Sequence, residues 1–127
     1  MTTNPTLDFP GWAPVSEAQR ARLFQNEVDP GNRGLHNNAF VVRVNGYLDV
    51  SSLERALVKL VNRHPMLRVR FRHPDSRPEQ SIAVAALPSV THVELGAQDE
   101  KAVETHVLRD ARVPLDASEG ARIRAGV

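Results

Sequence analysis

Residues 49 to 72 hold the pattern that most restricts the fold. Leu53, Ala56, Leu57, Leu60 and Val61 recur at three-and-four spacing, which places them on one face of a helix, and Asp49 stands where its carboxylate can accept the free amides of the first turn. Pro65 disfavours helical geometry in the residue before it, so the helix stops at His64. The period then changes from helical to extended: Leu67, Val69 and Phe71 alternate with Arg68, Arg70 and Arg72, as in a strand with one apolar face. Burying those guanidinium groups unpaired is too costly, so each needs partners or water.

Other elements flank this unit. Ser16 and Gln19 have the spacing of a capping box, which predicts a helix from about Ser16 to Glu27. Turn formers from Asp29 to Gly34 end it. Phe40, Val42 and Val44 alternate with Val41, Arg43 and Asn45, which predicts a first strand with one buried face. Gln80 to Ala86 and Thr91 to Leu95 read as short strands, Asp99 to Arg112 as a third helix with Val103, Val107 and Ala111 on one face, and Ala121 to Val127 as a final strand. Residues 1–15, with three prolines, read as an extended lead-in. This order argues for an α/β (α+β) two-layer sandwich, with helices packed on one face of a mixed or antiparallel sheet.

A chain of 127 residues with 41% apolar content closes one core, not two. The longest apolar stretch is a handful of residues, such as Ile82 to Leu87, far short of the roughly 20 needed to cross a bilayer. The first residues have neither the basic charge nor the apolar core of a leader, and there is no cysteine, so a cytoplasmic location is expected. A net charge of +1 gives no general attraction to nucleic acid or anionic lipid. Fourteen arginines against two lysines reflect either selection for fork-shaped donors or GC-rich coding.

Catalytic spacings are scarce. There is no phosphate-binding glycine loop and no nucleophile elbow, and the five histidines lack the close spacing of a zinc-binding helix. His106 and Asp110 have the spacing of an acyltransferase base, but lie in a helical segment without a following glycine, where an ion pair one turn apart is the simpler reading. Arg68, Arg70 and Arg72 have no interleaved aromatics for stacking bases, so structural pairing is the stronger reading over anion or nucleic-acid binding.

Arg63-His64-Pro65-Met66-Leu67-Arg68-Val69-Arg70-Phe71 resembles the second core motif of nonribosomal peptide synthetase condensation domains: arginine-histidine, two residues, leucine-arginine, two residues, phenylalanine. Ser16, Ala18 and Gln19 resemble the start of that family's first motif, and Val113-Pro114-Leu115-Asp116 resembles the run before its catalytic strand. Departures are Ala21, where the family has arginine, and Pro65 and Val69, which replace its usual glutamate and threonine. The third motif, two histidines, three residues, aspartate and glycine, does not occur in the sequence.

The resemblance implies a partial chloramphenicol-acetyltransferase-like lobe over residues 16–127, the amino-terminal part of a domain that joins a carrier-bound acyl or peptidyl donor to an aminoacyl acceptor. It further implies that this part has no catalytic residue and no directly bound cofactor. Phosphopantetheine arms would sit on partner carrier proteins, and Arg63, His64, Leu67, Arg68 and Phe71 would lie near the parent active site as structural residues. Implied partners are acyl or peptidyl carrier proteins and the remainder of the domain, with neither nucleic acid nor membrane. The alternative is a catalytically dead half-domain that docks carrier proteins or other domains, and self-association through the terminal strand is expected.

Overall fold

The computed structural model describes residues 11–95, 100–116 and 121–127. β1 (Ala13–Pro14), β2 (Val69–Arg72) and β3 (Glu79–Ile82) form an antiparallel sheet with β3 in the middle, while β4 (Ser89–Thr91) and β5 (Arg124–Gly126) form a parallel pair. Three α-helices accompany them: α1 (Glu17–Val28), α2 (Val50–Arg63) and α3 (Glu100–Ala111). Short 3-10 turns at Pro30–His36, Pro65–Arg68 and Pro74–Ser76 each open on a proline, whose missing N–H costs nothing at a first helical position. The fold therefore mixes helix and sheet as expected. Its strands, however, are divided between two small sheets, one antiparallel and one parallel.

The caps form where the sequence places them. Ser16 Oγ accepts from Gln19 N at 3.2 Å and Gln19 Oε1 accepts from Ser16 N at 2.7 Å, a complete capping box. Asp49 caps α2 by accepting from Ser52 N at 3.2 Å and from the Ser52 hydroxyl, and the hydroxyl contact is the largest cause of a carboxyl pKa below the usual range. A depressed folded-state pKa means that the stabilisation is complete above the ordinary carboxylate range and is lost as pH falls through it to the lowered value. The urea midpoint of the native protein, relative to Asp49→Asn, is expected to shrink on acidification, because asparagine caps without titrating. A difference constant with pH would contradict this.

The buried apolar residues are few: Leu23 of α1, Val61 of α2, Val69 of β2 and Ala83 just past β3, with Ser81 as the buried polar residue. Val61, on the predicted stripe of α2, is the one with no exposure at all. No helix of the described residues is long and apolar enough to cross a membrane.

Several expectations need correction. The segment Phe40 to Val44 is not a strand: no described strand runs beside it to exchange main-chain hydrogen bonds, and its apolar residues stay exposed. The strand expected from Leu67 starts at Val69, because Pro65 sets a tight turn closed by Leu67 N donating to His64 O at 2.9 Å. The predicted Gln80–Ala86 strand ends at Ile82, and Thr91–Leu95 is displaced to Ser89–Thr91, although Val93 N donates to Val127 O at 2.8 Å. Ala13 and Pro14, assigned to the lead-in, pair with Gln80 and Glu79. The terminal segment is not a free edge on both sides, since β4 occupies one of them. Asp99, the expected start of the third helix, lies outside the described residues.

Candidate functional site

The Arg63–Phe71 motif crosses the junction between α2 and the antiparallel sheet, and Arg68 occupies its centre. Its Nε donates to Ala83 O at 3.0 Å, and Nη1 donates to Val61 O at 3.1 Å and Asn62 O at 2.9 Å. The last carbonyls of a helix have no intrahelical donor, and a cation there also meets the negative end of the helix dipole. Arg68 thus ties the end of α2 to the strand leaving β3. Its main chain repeats the tie, since Ala83 N donates to Arg68 O at 3.0 Å. Structural pairing was the expected role, and the acceptors prove to be carbonyls rather than carboxylates.

The rest of the motif surrounds this bracket. Leu67 is half-buried and its carbonyl accepts from Arg122 N at 2.7 Å. Phe71, also half-buried, lies under the Arg122 guanidinium, 5.3 Å from ring centre to Cζ, while Arg122 Nε donates to Val69 O at 2.9 Å. Burial pushes the Arg122 pKa below arginine's usual value, and the Asp116 carboxylate opposes that shift. Arg63 and His64 stand apart: both are exposed at the end of α2, and neither side chain bonds another described residue.

Gln80 brings the first motif to the second. It lies opposite Phe71 in the β2–β3 register, accepts from Gln19 Nε2 at 2.8 Å and donates to Pro14 O at 3.2 Å. Gln19 therefore both caps α1 and anchors it to the sheet, whereas Ala18 is exposed and Ser16 acts only through the cap. On the opposite face of the sheet Trp12 lies under Arg72, 4.2 Å from ring centre to Cζ, and Arg72 pairs across the strands with Glu79 at 2.6 Å. This is the cross-strand pairing expected of alternating arginines.

A second bracket gathers the end of α3. Asn37 Nδ2 donates to Ala111 O at 2.9 Å and Val113 O at 2.8 Å, and Arg124 Nη1 donates to Val113 O at 2.8 Å. Asp110 turns toward Arg124, with 3.6 Å between charged atoms, and makes no bond to His106. The acyltransferase-like spacing of His106 and Asp110 is thus neither a base-orienting pair nor the simple ion pair. Gln80, Asn37, Gly34 and Arg122 belong to no local motif, and only the asparagine before a strand-like segment offered any signal.

None of these groups forms a nucleophile with a neighbouring base; the arrangement orients main chain. The family model for the condensation domain matches residues 11–127. The chain belongs to the condensation-domain family. Chondramide synthase cmdD of Chondromyces crocatus is 34% identical over 116 residues, covering 88% of this chain and 3% of that protein. Phosphinothricin tripeptide synthetase PhsB of Streptomyces viridochromogenes is 29% identical, covering 95% of this chain and 10% of its own. Among solved structures, the starter condensation domain of rhizomide synthetase RzmA superposes with a TM-score of 0.70 at 21% identity, covering 87% of this chain and 27% of that one. This condensation-family chain thus spans a tenth or less of those two synthetases and about a quarter of that solved chain.

Proposed function

We propose that residues 11–127 form the amino-terminal lobe of a condensation domain that makes amide bonds in nonribosomal peptide biosynthesis in the cytoplasm, and that their work is scaffolding. The observation that carries this reading is Arg68: the central cation of the family motif spends three hydrogen bonds on main-chain carbonyls and none on a substrate-facing group. In the reaction, the acceptor amine attacks the donor thioester carbonyl, the C–N bond forms, the C–S bond breaks, and the proton leaving nitrogen ends on the released phosphopantetheine thiol. The arms arrive on carrier proteins, so this chain needs no cofactor of its own. A base for that proton must come from elsewhere, because no pair of adjacent histidines occurs in the sequence.

A second reading, a docking module without chemistry, is favoured by one observation. Phe24, Val28 and Leu35, all more than half exposed, line a groove of ≈ 290 Å³ between α1 and the 3-10 turn that follows it. Contiguous apolar exposure of this kind suits a protein partner, here a carrier protein. Mass spectrometry separates the two readings. With acyl-loaded and aminoacyl-loaded carrier proteins, the chain alone is expected to give no amide product above a no-protein control, and product is expected once the rest of a condensation domain is supplied. Product from the chain alone would overturn the scaffold role. Carrier binding by the chain alone, abolished by Phe24→Asp, with no product in either case, would favour the docking module.

A further inference from the structure

The extended segment 39–45 has both edges unpaired, and Phe40, Val42 and Val44, at 92%, 79% and 52% exposure, project on one side of it. The whole chain exposes 10100 Å², against about 6,700 Å² for a closed monomer of this mass. Such an edge is a template for another strand. We propose that two copies of this chain pair through residues 39–45, antiparallel about a two-fold axis at Val42.

The sequence of the segment is self-complementary about that axis. Phe40 falls opposite Val44 of the second copy, an aromatic and β-branched pair of the kind that stabilises sheets, and Val42 faces its own copy. Arg43 falls opposite Val41 rather than opposite the other Arg43, so no like charges meet, and each guanidinium keeps its 2.8 Å ion pair with Glu100 of α3. An aromatic side chain has roughly 150–250 Å² to bury. With Tyr47 also 92% exposed, the stretch from Phe40 to Leu48 approaches the roughly 800 Å² per partner of a standard interface. An isologous contact closes at two copies. The terminal strand is a weaker candidate, because β4 already takes one of its edges. The inference stands independently of the condensation reading.

Light scattering coupled to size exclusion tests it, with the chain at tens of micromolar. The native chain is expected at about twice 14.1 kDa. Val42→Lys sets two ammonium groups opposite each other on the axis and is expected to give a monomer with unchanged circular dichroism. Val84→Lys, at a position 99% exposed outside the segment, is expected to leave the dimer intact. A monomeric native chain would overturn the proposal and leave this face to the rest of a condensation domain. A dimer indifferent to Val42→Lys, or one equally lost in Val84→Lys, would overturn it too.

Discussion

Gly34→Ala is expected to be the most damaging single-methyl change in this protein. A Cβ built on Gly34 falls 1.5 Å from Arg112 O and 2.3 Å from Arg112 C. Neither atom can retreat easily. Arg112 N donates to Arg109 O at 3.2 Å and Val113 N to Asp110 O at 3.0 Å, while Asn37 and Arg124 hold the adjoining carbonyls. Overpacking costs about 1–3 kcal/mol where side chains can yield, and a clash with anchored main chain exceeds that range. The urea midpoint of Gly34→Ala should therefore fall by the equivalent of more than about 3 kcal/mol. Gly31→Ala, in the same 3-10 turn, is the control: its Cβ would meet only Asp29 Oδ1 at 3.8 Å, and it should be nearly neutral.

Arg68→Ala is expected to rank second. Of its three acceptors, Asn62 O is at an exposed bond and finds water when the guanidinium goes, whereas the bonds to Val61 O and Ala83 O are partly buried. Hydrogen bonds from a charged donor are worth about 1.5–3 kcal/mol each, and the truncated side chain also leaves a gap beside Val61. A loss of about 2–4 kcal/mol follows. Arg68→Lys should recover only part of it, because an ammonium is a point donor that cannot span the helix end and the strand together.

What the sequence disclosed depended on how local each signal was. The Ser16–Gln19 box and the Asp49 cap are written within four residues, and both formed as read. The stripe on α2 identified Val61 correctly, since a helix face is defined by spacing alone. Arg68 was legible as a structural residue because an arginine between Leu67 and Val69 cannot be buried without partners. Its partners were not legible, because main-chain carbonyls belong to every residue and leave no trace in a sequence. Phe40 to Val44 shows the reverse: alternation states what a segment is suited to, not whether a neighbouring strand is there to pair with it. Gly34 and Asn37 act across more than 70 residues, on Arg112, Ala111 and Val113, and no pattern within one element could have announced them.

The claim that the family motif here is a bracket and not a reaction site is tested most directly by urea denaturation of Arg68→Ala and Arg63→Ala, each measured against the native chain at one fixed protein concentration. The two arginines begin and bisect the same motif, yet one donates to three carbonyls and the other, exposed at the helix end, to none. A clear drop in midpoint for Arg68→Ala beside an unchanged midpoint for Arg63→Ala is the expected result. An Arg68→Ala midpoint equal to that of the native chain would contradict it.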